Sequence, residues 1–191
     1  MISICKVASF LSGTPQFRIA EDMSDRSPLY CFYAQADLES DLRGLPGSPA
    51  PKKQIRTFDS VVTASTGDVV FSLLSGTAAI VRVEHSGYLL TQNYVVIAPS
   101  DGIDARYLVY MLNECRDVRN QLRMSQQGSA TMKYTLKQLK ELRLPSPPSK
   151  ERQRLIGELY LDQLRLHELR KRASALETVL VLETLREADG S

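Results

Sequence analysis

Leu144-Pro145-Ser146-Pro147-Pro148-Ser149-Lys150-Glu151-Arg152-Gln153-Arg154-Leu155-Ile156 is the stretch that divides this chain. Three prolines among residues 145–148 cannot lie inside a helix, because each removes a backbone donor and crowds the preceding residue. Residues 145–149 are therefore expected to form an extended connector. Beyond it glycine and proline nearly vanish: only Gly157 intervenes before Gly190. Ser149 supplies an N-cap, and Glu151 an acid in the first turn, where the helix dipole favours negative charge. Residues 150–188 are predicted as one helix, about 57 Å long at 1.5 Å per residue.

The apolar positions of that helix carry the next inference. Leu155 and Leu159 are four apart, and Leu166, Leu169, Ala173, Leu176 and Leu180 follow alternating steps of three and four, the spacing of a coiled-coil seam. Asp162 and Glu183 interrupt it, while Val179, Val181, Leu182 and Leu185 widen the stripe near the end. One helix cannot bury such a stripe against itself, and no other segment of the chain is long enough to cover it. The expectation is a partner helix from another chain, with Leu159, Leu166, Leu169, Ala173, Leu176 and Leu180 as its contacts. The alternative is that the helix folds back over its own globular domain.

Upstream, residues 1–144 read as one mixed domain, giving an α+β protein with a β-sheet followed by the long helix. Gly44-Leu45-Pro46-Gly47-Ser48-Pro49-Ala50-Pro51 is a loop by composition. Runs rich in β-formers follow at 60–63, 68–74, 78–83 and 88–97, separated by Thr66-Gly67, Ser75-Gly76 and Ser86-Gly87; this spacing suits an antiparallel or mixed sheet. Residues 104–123 are predicted as a helix capped by Asp104, since Tyr107, Leu108, Met111, Leu112, Cys115 and Val118 recur at helical spacing. Residues 125–131 read as a flexible polar loop, and Thr135 as the cap of a short helix over 135–142.

Composition narrows the class. At 191 residues and 21.4 kDa, with 43% hydrophobic and 24% charged residues, the chain is sized for one or two globular domains. No apolar run reaches the roughly 20 residues of a membrane helix, and the start has no basic segment followed by an apolar one, so neither a span nor a leader is expected. A cytoplasmic protein is the expectation. Cys5, Cys31 and Cys115 are far apart in sequence, which argues against a disulfide framework or a zinc knuckle. His167-Glu168 opens like a zincin motif, but position 171 is Lys. The net charge of +2 conceals a basic stretch, with seven Lys or Arg in 116–143 against Asp117 and Glu141. Such asymmetry suits a polyanion-facing side.

Catalytic signatures are missing. No glycine precedes a lysine, so there is no Walker A loop, and there is neither GxGxxG nor GxSxG. No glycine-rich loop suggests S-adenosylmethionine binding. Ser27-Pro28-Leu29-Tyr30 and Ser146-Pro147-Pro148-Ser149 each miss one position of the Asn/Asp/Ser-Pro-Pro-aromatic motif of adenine methyltransferases. No metal site is legible. A recognition subunit is favoured over an enzyme.

Several segments in order then resemble one family. They are Ser12-Gly13-Thr14-Pro15, Gly67-Asp68-Val69-Val70-Phe71-Ser72, Gly76-Thr77-Ala78-Ala79-Ile80-Val81, Thr91-Gln92-Asn93-Tyr94-Val95-Val96 and Ala105-Arg106-Tyr107-Leu108. Gln127-Gly128-Ser129-Ala130, Leu136–Leu142, and the Leu-Pro-x-Pro-Pro segment leading through Gln153-x-x-Ile156 into the long helix complete the set. The order resembles the specificity subunits of type I restriction–modification systems. The resemblance implies a non-catalytic target-recognition domain that reads double-stranded DNA. It also implies docking to modification subunits that carry S-adenosylmethionine, with a restriction subunit as a further partner. The family's full subunit has two domain–helix units and this sequence has one. The resemblance therefore implies a half-subunit, paired through its helix as a symmetric homodimer or completed by another protein.

Within that reading Lys52, Lys53 and Arg56 beside the Pro/Gly loop suit phosphates. Gln127, Ser129, Thr131, Lys133 and Tyr134 have the composition of a recognition loop, and Gln92 and Asn93 could pair with adenine. Arg116, Arg119 and Arg123 fall on one helix face, for DNA contact or for salt bridges and solvation. The competing readings are an adaptor or decoy that binds the modification subunit without reading DNA, and a self-contained DNA-modifying enzyme.

Overall fold

A computed structural model describes residues 1–47, 51–126 and 133–189. Its centre is a four-stranded antiparallel sheet of β2 (Ala8–Ser12), β5 (Val69–Ser72), β6 (Thr77–Ile80) and β7 (Tyr94–Pro99), in the order β2-β7-β5-β6. Strand register places Val70 opposite Ala79 on one side and Val96 on the other. Side chains alternate between faces, and both faces are buried. Val69, Phe71, Ala78, Val95 and Ile97 line one core together with Leu108 and Leu112. Val70, Ala79 and Tyr94 line the other, with Tyr33 and Leu38. Leu108 and Leu112 belong to α2 (Ala105–Glu114), Leu38 to α1 (Gln35–Arg43), so a helix covers each face. The rest of the domain comprises the short pairs β1–β8 (Ile2–Ser3, Arg143–Leu144) and β3–β4 (Leu29–Cys31, Gln54–Arg56), α3 (Arg116–Ser125) and α4 (Leu136–Glu141).

Several expectations are met and others are corrected. Asp104 caps α2, accepting from the backbone N–H groups of Arg106 and Tyr107, and Thr135 caps α4 by bonding the Gln138 N–H. The helix expected over 104–123 is two helices, because Cys115 is extended (φ −61°, ψ 118°). Both helices line the same core, through Leu112 and then Val118 and Leu122, so the apolar periodicity runs across the break. Residues 60–63 form no strand; Thr63 makes only an isolated bridge to Leu89. Residues 88–93 do not belong to β7 either. They cross the domain as a buried segment whose backbone bonds Cys31, Val62, Thr14 and Tyr33.

The long helix, α5 (Lys150–Asp189), has two faces with different fates. Its inner face begins with Gln153, which is fully buried. The Gln153 carboxamide oxygen accepts from the Asp104 N–H at 3.0 Å, and its amide donates to the carbonyls of Gly102 (3.1 Å) and Pro148 (2.9 Å). One side chain thus joins the helix, the connector and the start of α2. One turn on, Gly157 meets α2 so closely that a Cβ would lie 2.5 Å from Arg106 Cβ and 2.6 Å from Tyr107 N. Ile156, Tyr160 and Leu161 pack against the same core. Arg106 and Glu158 form an ion pair at 2.7 Å, and the Tyr160 hydroxyl donates to Glu114 at 3.1 Å. Further out, Arg172 donates to the Pro46 carbonyl and pairs with Glu168, bracing α5 against the end of α1. The helix thus folds back on its own domain along its first part.

The outer face is uncovered. Leu155, Leu159, Leu166, Leu169, Leu176 and Leu180 are between 41 and 69% exposed, and Ala173 is exposed. The seam read from the sequence is this face, so the docking of α5 leaves it open.

Replacing Gln153 by Ala leaves three backbone groups without their partner, and is expected to lower stability by roughly 2–3 kcal/mol. Gly157→Ala drives a Cβ into Arg106 and the α2 backbone, at a cost of about 1–3 kcal/mol. Urea denaturation followed by far-ultraviolet circular dichroism measures both; unchanged midpoints would contradict the docking described.

Candidate nucleic-acid interface

The most distinctive surface begins where the chain leaves β2. Gly13 N–H donates to the Tyr94 carbonyl, and a Cβ on Gly13 would lie 2.2 Å from the Thr91 carbonyl oxygen, so no side chain fits there. Thr14 N–H bonds the Leu90 carbonyl at 2.8 Å, and the Thr14 hydroxyl accepts from the Val62 N–H at 2.8 Å. Pro15 then opens a single 3-10 turn, Gln16–Arg18, and the Gln16 N–H is held by the Gln92 carboxamide oxygen at 2.8 Å. The turn is thereby fastened to the buried crossing segment. It presents Phe17, 82% exposed, with the Arg18 guanidinium carbon 5.6 Å from the ring centroid.

Gln16 and Phe17 of this turn line an open depression together with Lys53, Gln54 and Ile55 of the β4 strand and its approach; Glu21, Phe32 and Gln92 complete the lining. The Lys53 ammonium sits 5.0 Å from the centroid of the buried Phe32 ring. Beside Gln92, the Asn93 carboxamide oxygen accepts from the Lys133 ammonium. Lys53 and Gln92, 39 positions apart in sequence (53 to 92), thus line one depression, while Asn93 and Lys133 form a pair of their own.

The remaining candidates lie elsewhere. Lys52 binds the Asp37 carboxylate at 2.7 Å and the Tyr88 hydroxyl at 3.0 Å; burial pulls its pKa down, but these two bonds outweigh burial and the net shift is upward. Arg56 donates to the Ser27 carbonyl at 3.0 Å and clamps the loop before β3 to β4. Tyr134 is a correction. Its ring is buried against Phe71 and over Gly76, because Gly76 has a positive φ and no side chain to block it. It packs as part of the core in this structure. The amides of Gln92 and Asn93 have their oxygens occupied within the chain, so they buttress the surface in this state instead of presenting paired donor and acceptor to a base. Gln127, Ser129 and Thr131 lie outside the described residues. Arg119 donates to the Gly76 carbonyl at 2.7 Å and Arg123 to Asn120 at 3.1 Å, so the basic helix face is largely spent on the chain itself.

Gln16, Phe17, Arg18 and Gln54 were not singled out by the sequence. Phe17 alternates with polar neighbours and reads as one more half-buried apolar residue; only the Gly13-Thr14-Pro15 anchor before it hinted at a rigid turn. Among the described residues no group of three or more His, Cys, Asp and Glu is placed to hold a metal ion, and no helix is long and apolar enough to cross a membrane.

A family model described as the type I restriction modification DNA specificity domain matches residues 29–175, well over half of the chain, and the chain belongs to that family. Two solved structures share the fold. One is the HsdS subunit from Thermoanaerobacter tengcongensis, with a TM-score of 0.61 and 21% identity, aligned over 98% of this chain and 42% of that one. The other comes from a study titled as the structural basis of complex assembly and conformational transition of the type I R-M system, with a TM-score of 0.62, 21% identity, and 98% and 43% coverage. The chain thus spans less than half the length of either. No curated protein matches it.

Away from the surface, a buried polar cluster ties α1 to the segment after β6. Asp41 accepts from the Tyr33 hydroxyl at 2.7 Å and from the Arg82 N–H at 3.2 Å. His85 Nδ1 lies 2.7 Å from Asp41 and Nε2 3.3 Å from Asp37. Burial pushes the Asp41 carboxyl above the usual aspartate range, and the bonds from Tyr33 and His85 offset this only in part. Burial and the neighbouring Asp41 push the Tyr33 phenol up as well. Removing one partner strands the others: His85→Ala is expected to cost roughly 3 kcal/mol, read as a lower midpoint in urea. The folded chain holds the Asp41 proton more tightly than the unfolded chain does. Its contribution to stability is therefore full below roughly pH 3.9 and falls as pH rises through the folded midpoint. A carbon-13 titration of the Asp41 carboxyl should give a midpoint above roughly 3.9; one below it would contradict this account.

Proposed function

We propose that this chain is a DNA-recognition half-subunit of a type I restriction–modification assembly. One observation carries the reading: a rigid surface bearing exposed cations and amides, on a domain whose helix offers an uncovered heptad seam, in a chain of the DNA specificity family. Arg18 and Lys53, both exposed, suit phosphates and set affinity and register, while neighbouring polar groups meet base edges. The long helix pairs with a second copy through Leu159, Leu166, Leu169, Ala173, Leu176 and Leu180. Two-fold pairing with antiparallel helices holds two equal recognition domains a fixed distance apart. The target is then two inverted half-sites separated by a gap. The chain performs no catalysis of its own. Methyl transfer to adenine falls to the modification subunits, which hold S-adenosylmethionine, and a restriction subunit joins the same assembly. The site of action is the cytoplasm.

The test is selection from a randomised duplex pool by the purified full chain at low salt. An enriched sequence of two inverted elements with a constant gap is expected. Lys53→Ala should weaken binding evenly across sequences and flatten the salt dependence by about one contact. Leu166→Glu with Leu169→Glu should reduce the enriched sequence to a single element. A pool that shows no enrichment would leave the chain as an adaptor that does not read DNA.

A further inference from the structure

We infer that Phe17 reads thymine: its ring meets the 5-methyl group of a thymine in the major groove, beside an adenine recognised by a glutamine amide of the same depression. The inference rests on the DNA-reading function proposed above and deepens it.

Phe17 has no packing role to explain it, since it is the most exposed phenylalanine of the domain at 82%. Neither is it a loose side chain on a loose loop. Its turn is pinned by Gly13 against the Thr91 carbonyl, by Thr14 to Leu90 and Val62, and by Gln16 to Gln92. A large apolar group held out in water on rigid backbone points to a partner that buries it.

The surroundings select the partner's chemistry. Arg18 lies against the ring and Lys53 lines the same depression, so the rim suits phosphates, although Glu21 tempers the charge. Gln16 and Gln54 line the same depression and are exposed, the Gln54 amide donating to the Cys31 thiol at 3.4 Å and Gln16 standing next to Phe17 in the turn; a glutamine amide matches the N6 and N7 edge of adenine, whose paired thymine carries the one methyl group in the groove. Apolar ring and amide side by side therefore fit the two halves of an A·T pair. Insertion of the ring as a wedge between bases is the rival use of such a residue, and it would not depend on the methyl group.

That difference makes the test. From the duplex selected by the full chain, each thymine is replaced in turn by uracil, which lacks only the methyl. Affinities are measured by fluorescence anisotropy for the native chain, Phe17→Ala and Phe17→Leu. At one thymine per half-site, uracil should weaken the native chain roughly fourfold, the worth of one buried methyl group. Phe17→Ala should bind the thymine and uracil duplexes equally, and Phe17→Leu should keep part of the discrimination. Because the ring is exposed, both variants are expected to fold. Uracil without effect on the native chain, the same uracil effect in Phe17→Ala, or a selected site without thymine would each overturn the inference while leaving DNA reading intact. A pool without enrichment would overturn both.

Discussion

The carboxamide of Gln153, wedged where the connector, α2 and α5 meet, is the contact on which the rest of the molecule depends. A buried amide with all its partners costs little; one with partners removed costs the desolvation of each orphaned group. Its three bonds to backbone therefore favour a single geometry for the helix start. Gly157, one turn later, lets the α2 and α5 backbones close to contact. Together they turn a 40-residue helix from a tethered appendage into an extension of the domain, with the Arg172–Pro46 bond as a second brace. A pairing helix transmits a defined distance between two recognition domains only if each domain is rigid on it.

The same logic holds at the other end of the domain. The buried crossing segment 88–93 has no regular secondary structure, yet it ties together β3, the Thr63 region and the turn at Gln16–Arg18. The polar cluster of Tyr33, Asp37, Asp41 and His85 locks α1 to the chain after β6 from beneath. A loop-rich surface can present fixed groups because its backbone bonds are made inward. The consequence is that several residues of the right chemical type for DNA are structural: Lys52, Arg56, Gln92 and Asn93 all have intramolecular partners.

Much of this was legible in the sequence, for identifiable reasons. The proline-rich connector and the heptad spacing of Leu159 to Leu180 are local signals, and they marked the start of the helix and its uncovered face. Caps at Asp104 and Thr135 are local too. The break at Cys115 was hidden because α2 and α3 share one apolar side. Residues 60–63 looked like a strand because Val61 and Val62 are β-formers, although the Val62 N–H donates to the Thr14 hydroxyl and only its carbonyl accepts from the crossing segment, at Leu90. The candidate interface was legible only in part. Lys53 and Lys133 were found from charge, but Phe17 gains its meaning from distant anchors at Leu90, Thr91 and Gln92, and Tyr134 from the missing side chain of Gly76. Such long-range pairings leave no periodic trace.

One face of α5 is committed to its own domain and the other is uncovered; on the function proposed above, the uncovered face pairs with a second copy. Amide hydrogen exchange along α5, measured over a range of protein concentrations, tests it most directly. The account predicts that residues 153–164 are protected at every concentration, and that protection of residues 166–185 rises with concentration as pairing proceeds. Rapid exchange at 153–164, or protection at 166–185 that ignores concentration, would contradict it.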